Sequence, residues 1–498
     1  MTVVLNSRDD FSLENFRRVT VGGESVEIGP EGRATMEEGR ANFMALLNSD
    51  RTQFIYGVTS NFGPRAKMTI PPEEQGKHAR AHGGRGSWGR GFGGGYLDER
   101  VVRGIIFARL SNFVAGNSKA RPVVADQLAA LLDGPLPKVP LDGEVGAGEV
   151  LPMAHVLKDF DRGNLEEGEG NPLSNGSPCS AALGADAALQ ARHRLEHAEQ
   201  ILALSVEAFR APLDDYDESL EDLFGDEGDA AALRALRGHL RGASTDDRRH
   251  DDVPASYRVI GRLLGQVHRA VAALEDVARI SLRSVTDNPV YVLPDESHPF
   301  GRAFSTGGYH NAMVCPALGA LTAAWADLAL LLERHLAALS TPAVSRLPGR
   351  ANVGFFRLVS DFAEEARAAA MPTLLPAAVN DAQDDVSSPV FSAYRRQVRG
   401  AECIDGLLGM LAAEASQALF VTGRQPAAPL ADILLEVRAV FPPLEGDRPR
   451  HLRDEAATLA RALARSAVSG SSAFGDVTPP PAGPSPDSAP GAERAGVA

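Results

Sequence analysis

Residues 313–332 restrict this chain more than any other stretch, because they form an apolar run long enough to cross a bilayer. Pro316, Gly319, Thr322 and Asp327 interrupt the run, and Glu333, Arg334 and His335 follow at once. A bundle of long helices buries such a segment on several sides without a membrane. Apolar residues at three- and four-residue intervals over 181–209, and at 260, 263, 264, 267, 271, 274 and 277, mark further helices with one core-facing side. Helices are also expected over 32–48, 97–132 (broken near Gly116), 311–339, 352–370, 404–420 and 430–468. The fold class is mainly α.

Charge and composition narrow the partners. A formal charge of −15 disfavours general nucleic-acid binding and docking on an acidic membrane, both of which need a basic face. Cys179, Cys315 and Cys403 are far apart and odd in number, so buried thiols are expected rather than a disulfide framework. No His/Cys spacing suggests a metal site. The first residues lack a basic segment followed by an apolar core, which points to a cytoplasmic protein. Residues 213–229 read as an acidic, solvated loop, 245–252 as another charged loop, and glycine-rich 83–96 as a mobile one. Residues 470–498 are Pro, Gly, Ser and Ala in bulk and are expected to be disordered. The expected organisation is 1–190, a helical bundle over 191–469, and that tail.

Several motifs stand out in order along the chain. Residues 56–63 read Tyr-Gly-Val-Thr-Ser-Asn-Phe-Gly, and residues 143–155 read Gly-Glu-Val-Gly-Ala-Gly-Glu-Val-Leu-Pro-Met-Ala-His. Then come Leu-Ser-Asn-Gly-Ser at 173–177, Arg-Leu-Leu-Gly-Gln-Val-His at 262–268 and Ser-Val-Thr-Asp-Asn-Pro at 284–289. From about residue 12 to about residue 389 the chain resembles the aromatic amino acid ammonia-lyase family, which includes the histidine, phenylalanine and tyrosine enzymes. The resemblance implies an ammonia-lyase-like fold, with a smaller N-terminal α/loop region and a central long-helix bundle. It also implies a homotetramer whose sites combine loops from three subunits.

The family signature reads Gly-Ser-Val-Gly-Ala-Ser-Gly-Asp-Leu-Ala-Pro-Leu-Ala-His. Its Ala-Ser-Gly cyclises and loses water to give the electrophile 4-methylideneimidazol-5-one, whose exocyclic methylene is the serine β-carbon. Here Ala147 is joined directly to Gly148, with matching residues on both sides. No such cofactor is therefore expected. Glu149 stands for the family's aspartate, and Pro178 for the glutamine after its Asn-Gly pair. Val259 occupies the place of a family tyrosine, with Tyr257 nearby as a substitute if the register shifts.

The resemblance also assigns roles. Tyr56 matches a catalytic base; a phenol with an ordinary pKa of about 10 needs neighbours that stabilise phenolate to act near neutrality. Arg262 matches the arginine that grips the substrate carboxylate, which suits a planar guanidinium. Asn175 matches the asparagine that polarises the electrophile, and is expected to bind substrate instead. Asp384 falls where histidine-type enzymes carry a glutamate, as a general base or a holder of the amine. His82, Gln266, Tyr309, Phe355 and Gln383 are the expected substrate-binding residues.

The leading reading is an enzyme acting on an amino-acid-like or activated carboxylate-bearing substrate without the electrophile. Acid–base elimination, conjugate addition or cyclisation would serve. Two alternatives stay open: a non-catalytic binding or scaffold paralogue, and an ordinary aromatic amino acid ammonia-lyase with an unusual prosthetic group.

Overall fold

The structure is a computed structural model and describes residues 2–81, 94–142, 147–250, 253–375, 377–380, 384–445 and 450–469. The amino-terminal part contains Pro30–Ser49 (α1) and Glu99–Val114 (α2), followed by Val150–Val156 (α3) after the signature. The bundle is built from Pro178–Phe209 (α4), Ile260–Arg283 (α5), Val314–Ser340 (α6), Val390–Thr422 (α7) and Leu452–Ser469 (α8). In it α7 packs on α4, α6 and α8, while α5 packs on α4 and α6.

The run that looked long enough for a bilayer is α6. Leu318, Leu321, Trp325, Leu328 and Leu332 of that helix are all buried, so packing inside the bundle accounts for its apolarity. α4 begins with Pro178 at its first turn, where the missing N–H costs nothing, and stops at Arg210 in the left-handed region (φ 62°). α7 stops at Gly423 (φ 66°), a conformation that favours a residue without a side chain. Cys179, Cys315 and Cys403 are buried and form no disulfide among the described residues.

Three short strand pairs decorate the helices. Thr2–Leu5 (β1) runs parallel to Ser25–Ile28 (β2), and Val290–Val292 (β3) forms a hairpin with Arg302–Phe304 (β4). Ala377–Asn380 (β5) pairs antiparallel with Asp384–Val386 (β6). The division expected at residue 190 falls inside α4, which runs unbroken and packs on α2 as well as on α7. One hydrophobic core reaches from Val3 to Leu463, so the amino-terminal part and the bundle share it. The tail expected to be disordered lies outside the described residues.

Of two stretches expected to be charged loops, 213–229 is partly helical with several of its carboxylates exposed, and 245–250 is a loop as expected. Residues 213–229 contain the helix Ser219–Phe224 and the start of Glu227–His239. Other carboxylates there are matched: Glu221 pairs with Arg234 at 2.8 Å, and Asp226 caps the second helix by accepting from the Asp229 N–H at 3.0 Å. Arg248 and Arg249 in the second stretch are buried, and Arg248 donates to the Ala211 carbonyl at 2.8 Å and to Glu207 at 2.5 Å. The helix expected over 430–468 is divided into Ala431–Val440 and α8, with Pro442 and Pro443 between them.

Ion pairs inside the bundle fix how the helices face one another. Arg194 of α4 makes a two-pronged pair with Asp405 of α7, both contacts at 2.8 Å and both side chains about 4% exposed. Removing one partner leaves the other buried and uncompensated, so Asp405→Ala should lower unfolding free energy by about 3–5 kcal/mol. Urea unfolding of the wild type, Asp405→Ala and the apolar pair Arg194→Met/Asp405→Leu checks this, with the apolar pair recovering most of the loss.

Candidate functional site

The site is assembled around the turn at residues 284–289. Asp287 at its centre is 1% exposed, pairs with the fully buried guanidinium of Arg109 on α2, and accepts from Ser118 Oγ at 2.7 Å. Lys119 donates from Nζ to the Pro289 carbonyl at 2.9 Å, and burial pushes its ammonium down to about 7. Asn112 Oδ1 accepts from the Thr286 N–H at 2.5 Å. The turn is thereby clamped to the carboxyl end of α2 and the residues just after it.

From this clamp, hydrogen bonds reach each neighbouring loop. Thr286 Oγ1 accepts from the Ser177 N–H at 3.1 Å, just ahead of α4. Asn171 Nδ2 donates to the Asn288 carbonyl at 3.2 Å and to the Tyr56 carbonyl at 3.3 Å. Asn288 Oδ1 accepts from Ser305 Oγ at 2.7 Å and from the Thr306 N–H at 3.1 Å, which sets the 3-10 turn Gly307–Tyr309. Ile55 and Val58, on either side of Tyr56, are buried in a small core with Phe43, Leu47 and Tyr291. Tyr56 itself stays half-buried, edge-on to Phe62, and its phenolic oxygen accepts from the Gly63 N–H at 3.0 Å.

The signature closes the group. Gly148 (φ 71°) and Glu149 (φ 51°) are consecutive left-handed residues, and the Gly148 carbonyl accepts from the Gly176 N–H at 3.2 Å. Asn175 Oδ1 is buried, has no donor among the described residues, and lies 2.7 Å from where a Cβ on Gly148 would stand. Tyr309 Cβ is 3.8 Å from that same point. Glu149 is 5% exposed and accepts from the Cys179 N–H at 2.6 Å, the Ser180 N–H at 2.9 Å and Ser180 Oγ at 2.5 Å. Burial pushes its carboxyl up to about 7, against the pull of the Ser180 and Cys179 hydrogen bonds.

The residues do not fit the electrophile that the resemblance brings with it. That group takes its methylene from a serine β-carbon, and no residue stands between Ala147 and Gly148. A side-chain carbon on Gly148 would collide with Asn175 Oδ1.

Gly148, Asn175 and Tyr309 are thus brought together within one chain, and the Tyr56 backbone is tied to the same network through Asn171. Arg262 and Gln266 are elsewhere. They lie near the amino end of α5, whereas Arg283 at its other end leads into the clamped turn, roughly 30 Å further along the helix at 1.5 Å per residue. Arg262 is half exposed, pairs with Asp229 at 2.5 Å and lies over the Phe224 ring at 4.6 Å; Gln266 is exposed and accepts from Arg269. Phe355, expected to touch substrate, is instead a core residue 3% exposed and edge-on to Phe441, because its preceding turn points it inward. Tyr257 is no substitute for the missing tyrosine near Arg262. It is fully buried, stacked between Phe209 and His335. Asp384 opens β6 opposite Asn380. Its side chain, Gln383 and His82 lie outside the described residues.

Sequence reasoning passed over Glu149 as a simple replacement, and over Arg109, Asn171 and Lys119 altogether. The spacing of charged and amide residues in 109–119 beside an apolar helix was the available signal, since a buried guanidinium needs a buried partner.

This fold and cluster define a class. The aromatic amino acid lyase family model matches residues 11–160 and 157–439, and the chain belongs to that family. Histidine ammonia-lyase from Sorangium cellulosum is 29% identical over 90% of this chain and 94% of its own length. The crystal structure of histidine ammonia-lyase from Trypanosoma cruzi superposes with a TM-score of 0.80 at 22% identity, covering 94% of each chain. The ergothioneine-degrading enzyme ergothionase from Treponema denticola, in complex with desmethyl-ergothioneine sulfonic acid, gives a TM-score of 0.83 at 16% identity over 94% of this chain and 99% of its own.

A carboxyl raised to about 7 from an ordinary value of 4.5 makes stability depend on pH. Between those values the folded state holds a proton that the unfolded chain has released. The contribution is therefore full below about 4.5 and is lost as pH rises through about 7. Tm of the wild type measured against Glu149→Gln should fall progressively from pH 5 to pH 7.5, and level off above.

Proposed function

We propose that this chain is a carbon–nitrogen lyase-type enzyme that works without the methylideneimidazolone electrophile. Its substrate is amino-acid-like or an activated, carboxylate-bearing molecule, and its chemistry is acid–base elimination, conjugate addition or cyclisation. The observation carrying this reading is Asn175 Oδ1, a buried acceptor without a donor among the described residues, 2.7 Å from where a Cβ on Gly148 would stand and next to the Tyr309 turn. A substrate amine or amide N–H satisfies that oxygen, since a buried carbonyl left unpaired is costly.

Tyr56 takes the base role in this reading. Its phenolic oxygen accepts from the Gly63 N–H, which fixes where that oxygen stands. Arg262 grips the substrate carboxylate from another subunit of a homotetramer, because helix length keeps it from the Tyr56 cluster of its own chain. Asp384 supplies a second base or holds the amine, with His82, Gln266, Tyr309 and Gln383 shaping the pocket. General acid–base help of roughly 10²–10⁴-fold is modest, which favours a substrate whose leaving group is already activated. Ergothionase shares the fold, so betaine-like derivatives of amino acids such as ergothioneine belong in the substrate range to be tried. The enzyme acts in the cytoplasm.

Incubation with histidine, ergothioneine, activated amino acids and enoates, followed by mass spectrometry, tests the reading. Formation of one product that Tyr56→Phe slows by 10²–10⁴-fold is expected. No turnover of any of them by an intact tetramer favours the binding paralogue instead. The peptide spanning 143–155 should show its unmodified mass; loss of water there would mean an electrophile forms after all. Mixed oligomers of Tyr56→Phe and Arg262→Ala subunits should regain part of the activity that each variant lacks alone, as only shared sites allow.

A further inference from the structure

The shortened signature carries three linked features. The chain turns back through two successive left-handed residues, Gly148 and Glu149. Gly148 tolerates this conformation, whereas Glu149 has a Cβ and adopts it against its own preference. Its side chain is held hard in return: both carboxylate oxygens accept from the first turn of α4, at 2.6 Å from the Cys179 N–H and 2.9 Å from the Ser180 N–H. Those N–H groups have no partner within their own helix, and the helix dipole adds to the attraction.

We infer that Glu149 is a positioning residue matched to the deletion: its extra methylene, compared with aspartate, spans the gap left by the missing residue and ties the shorter loop to α4. Loop length and side-chain length are then a coupled pair. Glu149 holds the Gly148 carbonyl on the Gly176 N–H, and with it the face of Gly148 toward which Asn175 Oδ1 is directed. An aspartate here falls short of the Cys179 and Ser180 N–H groups. A serine restored between Ala147 and Gly148, with Glu149 kept, pushes an oversized side chain into the same two donors. Neither change alone is compatible with the loop; together they are.

The inference concerns the loop whatever substrate the site takes, so its test needs no turnover. Four full-length proteins suffice: wild type, Glu149→Asp, a serine inserted between Ala147 and Gly148, and the two combined. Each single change should lower Tm by at least about 3 °C, and the combination should return to within about 1 °C of wild type. Hydrogen exchange across residues 171–181 should speed up in each single variant and recover in the combination, while peptides from α7 stay unchanged. Additive losses of Tm in the combined variant, or unaltered exchange across 171–181 in Glu149→Asp, would overturn the pairing.

Discussion

A guanidinium and a carboxylate wholly removed from water hold this structure's working end together. Arg109 and Asp287 are each about 1% exposed or less, and their elements are far apart in the chain. Such a pair adds little net stability, since desolvation cancels most of the attraction, but it leaves few other arrangements tolerable. Everything near Gly148 hangs from it. Thr286 reaches the start of α4, Asn288 sets the turn before Tyr309, and Asn171 joins the Asn288 and Tyr56 carbonyls. The long helices supply a rigid frame, and this one pair decides where three irregular loops meet on it.

The bundle follows from patterning that any reader of the chain can see. Apolar spacing over 181–209 and 260–277, and the uninterrupted hydrophobicity near 313–332, leave only helices packed against helices. Charge read by sign alone gives only part of the picture. In 213–229, Asp214, Asp217, Glu218, Asp222 and Glu227 are exposed as expected, whereas Glu221 and Asp229 meet Arg234, Arg237 and Arg262. Those partners come from later in the sequence, and linear order does not reveal them.

The site was legible in part. Asn175 and Tyr309 both border Gly148, and the Tyr56 backbone joins them through Asn171, because each follows or precedes a motif whose turn is fixed by local hydrogen bonds. Arg262 shows the limit: its motif is plain, but spacing along a helix does not say which copy of the chain a side chain serves. Phe355 shows another, as an aromatic beside a glycine turn points inward or outward according to packing alone. Glu149 was hidden by similarity, since one acidic residue in place of another reads as conservative. Only the geometry at the start of α4 shows that both its oxygens are held there.

Asn175 Oδ1 has a consequence for selectivity. A solvated carbonyl exchanges one hydrogen bond for another when a ligand arrives, so donors and non-donors are told apart weakly. This oxygen is already withdrawn from solvent. A ligand that presents N–H there gains a bond that no described residue supplies, whereas an isostere with oxygen or carbon in that place meets an unmatched lone pair. Sites of that kind reject the wrong analogue by several orders of magnitude, far more than an apolar wall achieves against a misplaced methylene. On the proposed reading, the serine lost from the signature thus leaves behind a filter for nitrogen.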